Sequence, residues 1–116
     1  MHNYKNLEVW KRSVELATQI YSLTDHYPKE EKYGLVSQIR RCSVSISSNI
    51  AEGAGRGSDK EFKLFLNYAL ESCFELETQL LISINLGLIA EEIQKDVLNE
   101  LTEMQKMIYS LIKKYS

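Results

Sequence analysis

The chain has 116 residues and 13.4 kDa, with 44% apolar residues, 26% charged residues and a single proline, which points to one domain over residues 1–116 and excludes a disordered or low-complexity segment. A net charge of -2 and a pI near 5.7 exclude a surface that is cationic throughout, so any phosphate contact must be local. Two cysteines and two histidines are too few for a zinc module or a disulfide framework and fit a reducing compartment, and no run approaches the ~18 apolar residues of a membrane span.

Glycine and proline cluster at Tyr27-Pro28, at Gly53-Ala54-Gly55-Arg56-Gly57 and at Gly87, and these three breaks leave four segments. The first, from about Asn6 to Thr24, sets Trp10, Val14, Ala17 and Tyr21 at steps of four, three and four, with Val9, Leu16, Ile20 and Leu23 on an adjoining stripe, which predicts a helix with a broad apolar face. The second, from about Tyr33 to Glu52, carries Leu35, Ile39, Cys42, Ile46 and Ile50 on one helical face. Ser43-Val44-Ser45-Ile46-Ser47 also reads as a strand of period two, but the length of the segment favours a helix. The third begins at Ser58-Asp59-Lys60-Glu61, a capping box in which Ser58 receives the Glu61 amide and Glu61 returns to the Ser58 amide. Its seam is Phe62, Leu66, Ala69, Cys73, Leu76, Leu80 and Ile84, with Phe65, Leu70, Phe74 and Leu81 spreading the apolar surface further, and Gly87 ends it in a left-handed conformation. The fourth alternates Ala90, Ile93, Val97, Leu101, Met104, Ile108, Leu111 and Tyr115 and ends among Lys106, Lys113 and Lys114, cations that complement a helix C-terminus. Short connections make neighbouring helices antiparallel, so the expected fold is an all-α, antiparallel up-and-down four-helix bundle.

Bundles of this kind often hold metals, but His2 and His26 fall outside the expected helices and no Glu-x-x-His pair exists. Cys42 and Cys73 sit on apolar seams without a histidine on their helices, which reads as two buried thiols rather than a nucleophile. The Gly53–Gly57 run lacks the preceding strand and the lysine of a phosphate loop and reads as a chain reversal, with Arg56 beside a helix start able to hold one phosphate group. Arg40 and Arg41 form the single Arg-Arg pair. Counted across the second hairpin they fall near Glu71 and Glu75, so one is expected in a cross-helix ion pair and the other, about 100° away, free for a partner. Asn49 and Glu52, with Lys60 and Lys63 in the same hairpin, are expected to stitch the turn, and Ser58 and Glu61 to cap it. No catalytic, cofactor-binding or metal site and no small-molecule substrate is expected. Residues 1–64 hold ten Lys and Arg against eight Asp and Glu, residues 65–116 four against eight, so the first half is the better candidate for an anionic partner. The start, Met-His-Asn-Tyr-Lys-Asn, has no apolar stretch behind a basic opening, which reads as cytoplasmic. Helices one and three carry more apolar arc than one bundle can cover, and the expected cover is a second copy of the chain.

Leu7-Glu8-Val9-Trp10, Tyr33-Gly34-Leu35, Gln38-Ile39-Arg40-Arg41, Ser48-Asn49-Ile50-Ala51-Glu52-Gly53, Arg56, Glu61-Phe62 and Glu75-Leu76-Glu77-Thr78-Gln79-Leu80 together resemble the bacterial four-helix-bundle family encoded in intervening sequences of 23S rRNA genes. The resemblance runs from about Tyr4 to Leu88. It implies a left-handed up-and-down bundle, assembly as a homopentamer and no enzymatic activity. The family is also similar to the accessory protein of diversity-generating retroelements, a pentameric, markedly basic bundle that binds nucleic acid and works with a reverse transcriptase. Two positions depart from the family pattern: Ser47 stands where proline is common and Ala90 where a capping Ser or Thr is common, so helix two should be straighter and helix four less firmly started. The function expected is a non-catalytic homo-oligomeric adaptor for RNA or an RNA-associated protein, with Arg40, Arg41 and Arg56 as candidate contacts. The alternative is a nucleic-acid-binding accessory factor of a reverse transcriptase.

Overall fold

The computed structural model describes residues 2–116 as four helices, α1 (Glu8–Thr24), α2 (Leu35–Ala54), α3 (Asp59–Asn85) and α4 (Glu91–Lys114), with single 3-10 turns at Tyr4–Asn6 and Lys29–Glu31. Ser43–Ser47 lies inside α2, so its period-two pattern is a property of a serine-rich helix and not of a strand.

Cross-helix contacts fix the arrangement. Ser45 of α2 meets Ser72 of α3 at 2.8 Å and Gln38 meets Gln79 at 3.5 Å. Gln105 of α4 donates to Glu77 of α3 at 3.4 Å, while the Tyr115 ring lies 5.1 Å from that of Phe62. Arg40 of α2 reaches Thr24 at the end of α1, and the His2 amide, just before α1, donates to Ala54 at the end of α2. In every pair the partner number falls as the other rises, so neighbouring helices run in opposite directions. α1 contacts α2 and α4, and α3 contacts α2 and α4, which places α1 and α3 on a diagonal. The 27 residues of α3 span about 40 Å at ~1.5 Å per residue, close to the long dimension of 43 Å.

Each helix sends one row inward: Leu16 and Ile20; Ile39, Ile46 and Ile50; Phe62, Leu66, Leu76 and Leu80; Leu101, Met104 and Ile108, all essentially without solvent contact. Burying each is worth roughly 1.5–3 kcal/mol, which is what holds four helices of modest intrinsic propensity together. Two expected seams are shifted. On α1 the core row is the Val9, Leu16, Ile20, Leu23 stripe, whereas Val14 and Tyr21 lie outside. On α4 Ile93 faces outward, and Gln94 takes the inward position with its amide nitrogen on the Tyr27 hydroxyl at 2.9 Å.

Local chemistry sets the ends. The Ser58 hydroxyl accepts the Glu61 amide at 3.2 Å and donates to the Glu61 carboxylate at 3.2 Å, so the serine half of the capping box forms while the glutamate takes the hydroxyl. Gly87, at φ +71°, closes α3: its amide donates to Ile84 and that of Leu88 to Ser83, the pairing of a Schellman stop. Ala90 precedes α4 with no side-chain cap, leaving Glu91 and Glu92 in the first turn to complement the dipole. Gly53 is helical, not part of the reversal; a Cβ there would lie 2.5 Å from Cβ of Phe65, so its missing side chain is what lets α2 and α3 close together.

Candidate binding surface

The three candidate arginines do not converge. Arg40 turns toward α1: its Nε donates to Thr24 Oγ1 at 2.8 Å, a terminal nitrogen bonds Asp25 at 2.9 Å and the Tyr21 carbonyl at 3.3 Å, and the guanidinium lies 4.6 Å from the Tyr21 ring centre. The expected pairing with Glu71 or Glu75 is replaced because the α3 side of α2 is taken by Gln38 and Ser45, about a third of a turn or more away from Arg40. Arg41, on the next position, is exposed and has no ion-pair partner among the described residues. Arg56 is about 24 Å along the chain axis from Arg40 at ~1.5 Å per residue. It pairs with Glu52 at 3.2 Å and Glu61 at 3.9 Å while its guanidinium lies over the Phe65 ring, so the turn arginine is held by its own hairpin.

The other expected turn residues also find nearer partners. Asn49 donates to the Ser45 carbonyl at 2.9 Å and to its hydroxyl at 3.0 Å, and Ser45 continues to Ser72, so Asn49 braces the α2–α3 contact rather than Lys60 or Lys63. Glu52 serves Arg56. Sequence reasoning missed the corner made by His2, whose ring lies 4.7 Å from Phe62 and 5.0 Å from Tyr115 and whose Nε2 is 3.1 Å from Asp59. It also missed Arg12, whose guanidinium clamps both oxygens of Glu100 and joins α1 to α4. Neither is legible in sequence, because the partners are 57 and 88 residues away.

Chemistry inside the bundle is quiet. Burial pushes the Cys42 thiol up to about 12, with Glu75 adding to it, and burial and Glu77 push Cys73 up to about 12, so both stay protonated. Both are free thiols. Among the described residues no group of three or more His, Cys, Asp or Glu is placed to hold a metal ion, and no helix is long and apolar enough to cross a membrane. A depression of about 600 Å³ follows Ser58, Lys60, Glu61, Lys63, Leu64 and Asn67, but these residues lie along one helix and nothing faces them across it.

The outer faces are more telling. On α1 the row Trp10, Val14, Ala17, Tyr21 runs beside the α2 row Arg40, Val44, Ser47, Ala51, the two joined at the Arg40–Tyr21 contact. On the opposite side, the α3 row Leu70, Phe74, Glu77, Leu81 runs beside the α4 row Leu98, Thr102, Gln105, Tyr109, joined at the Glu77–Gln105 bond. Val14, Tyr21, Val44, Phe74, Leu81 and Tyr109 are each between 40% and 55% exposed. The α1/α2 stripe holds one charge, Arg40, already engaged by Asp25.

The molecule is thus an all-α four-helix bundle whose distinctive surface is a pair of apolar stripes on opposite sides. The family model for the 23S rRNA-intervening sequence protein matches residues 5–110, and the chain belongs to that family. A crystal structure of a protein with unknown function from the S23 ribosomal protein family, from Bacteroides thetaiotaomicron, is similar at 33% identity with a TM-score of 0.84, covering 90% of this chain and 98% of that one. No curated protein sequence matches the chain.

Proposed function

We propose that this protein is a non-catalytic, homo-oligomeric binding protein that associates with RNA or with an RNA-bound protein. The observation that carries the reading is the pair of half-exposed apolar stripes on opposite faces of a bundle whose core is already complete. Apolar surface of this extent on a small subunit marks contact with another macromolecule. Five copies is the subunit count that the resemblance implies, and the descriptions of the matching family and of the S23 relative support an RNA-linked role. With Arg40 and Arg56 engaged within the chain, Arg41 is the arginine offered to a phosphate.

Gel-shift titrations across a salt series test the RNA half of this reading. Affinity should fall steeply as salt rises, because phosphate contacts release counterions. Arg41→Ala should weaken binding uniformly across sequences and flatten the salt slope by about one contact per subunit, whereas Arg56→Ala should leave it unchanged. Absence of any shift at low salt would eliminate RNA and leave a protein partner.

A further inference from the structure

We infer that one end of the bundle, where α1 and α3 begin and α4 finishes, is a cationic face that grips the phosphate backbone of RNA. This rests on the RNA-linked role proposed above and names the surface that carries it. The His2 corner builds that end. The His2 amide donates to Ala54 at the close of α2 at 2.7 Å, its Nε2 meets Asp59 at the start of α3 at 3.1 Å, and its ring lies 5.0 Å from that of Tyr115 just after α4. Segments distant in sequence are thereby gathered across a bundle 23 × 19 Å in section.

Charge segregates along the bundle axis. Residues 2–12, 52–63 and 106–116, which make up this end, hold nine Lys and Arg against four Asp and Glu, whereas the rest of the chain holds five against twelve. Internal pairing deepens the imbalance. Three of the four carboxylates are already engaged, Asp59 by His2 and both Glu52 and Glu61 by Arg56, which leaves Glu8. Arg12 is held by Glu100, and Lys106 has Glu103 at 3.7 Å. Lys5, Lys11, Lys60, Lys63, Lys113 and Lys114 have no ion-pair partner among the described residues, and all but the half-buried Lys63 are exposed. Like charges gathered without counter-charges repel one another, a cost that an anionic partner removes. Lysine meets phosphate oxygens as a point charge, without the planar fork that reads a base edge, so this face recognises backbone and not sequence. Tyr109 selects nucleic acid over an acidic protein. It is 55% exposed, with the Lys113 ammonium 5.7 Å from its ring centre, and gives an unpaired base a ring to stack on beside the cations.

Two triple variants test this. Lys60→Ala, Lys113→Ala and Lys114→Ala together strip the cationic end, and Lys29→Ala, Lys32→Ala and Lys95→Ala remove the same charge from the opposite end. Helicity is checked by circular dichroism, and Lys5→Ala with Lys11→Ala and Lys63→Ala replaces the first set should it misfold. Binding to a labelled single-stranded RNA and to polyglutamate is measured across a salt series. The first variant should lose about tenfold or more in RNA affinity at low salt, with its slope against log salt flattened by about two, at ~0.7 per phosphate contact on a single strand. The opposite-end variant should stay within about twofold of wild type. Equal loss in both variants, or none in the first, overturns the assignment of this face while leaving RNA binding standing. Polyglutamate bound at least as tightly as RNA overturns nucleic acid as the partner in favour of an acidic protein. Wild-type protein that binds neither overturns the face and the RNA reading together.

Discussion

Gly53 shows how a single missing side chain shapes the molecule. In sequence it belongs to a cluster of three glycines and reads as a turn residue, whereas in the fold it is the point where α2 touches α3, with Phe65 Cβ at 2.5 Å and Phe62 at 3.2 Å from where a Cβ would stand. Gly53→Ala gains the helix propensity of alanine, under about 1 kcal/mol, but forces two backbones apart at a cost of roughly 1–3 kcal/mol, so denaturant unfolding should show a net loss of stability. The same change at Gly57, which has open space around it, should be close to neutral. Cys42 and Cys73 were legible as buried thiols because both fall on apolar rows, and their environment has a pH consequence. Each ionises near 9 when unfolded and near 12 in the fold, so above about pH 9 the unfolded chain releases protons that the native state keeps. Stability from these two groups is therefore complete below pH 9 and declines as the pH rises toward 12. Thiol titration should find both groups unreactive in native protein at neutral pH and both reactive after denaturation; rapid labelling of the native protein would contradict the burial.

At the scale of elements, the four helices and their caps follow from periodicity and local signals. Ser58 and Gly87 act at the positions their residue types dictate, because capping depends on neighbours within a few residues. What periodicity could not decide was which of two apolar rows on α1 faces inward. Trp10, Val14, Ala17 and Tyr21 have the cleaner spacing, yet the Val9, Leu16, Ile20, Leu23 row holds the core, with the small Ser13 buried between and its hydroxyl returned to the Trp10 carbonyl at 2.7 Å. On α4 the reverse occurred, since an inward glutamine looks like an error until Tyr27, 67 residues away in sequence, supplies its partner. The arginines failed to converge for a similar reason: spacing places Arg40 and Arg41 on α2 but does not say which neighbouring helix each will face. The start of α4, like those of α1 and α2, has no side-chain cap. Ala90→Ser supplies the missing acceptor for the first-turn amides and should raise stability by about 1 kcal/mol in thermal or denaturant unfolding; no gain would show that the first turn is already satisfied by other means.

Across the whole molecule, helical periodicity foretold more apolar arc on helices one and three than one bundle can cover, and the fold shows where the exposed apolar side chains lie. The core is complete with one row per helix, and part of the remainder lies on two opposite faces, while Tyr33, Leu64, Tyr68, Ile82, Leu86 and Ile93 are exposed outside them. Most acidic side chains lie off these faces, among them Glu8, Glu15, Asp96 and Glu103 on α1 and α4 and Glu71 and Glu75 on α3, whereas Glu77 stands within the α3/α4 stripe and accepts from Gln105. The most direct measurement is the molar mass of the wild-type protein by light scattering through a dilution series from high to low micromolar concentration. The stripes predict a particle several times 13.4 kDa that dissociates only on dilution; a 13.4 kDa particle at every concentration would show that both apolar faces are content in water.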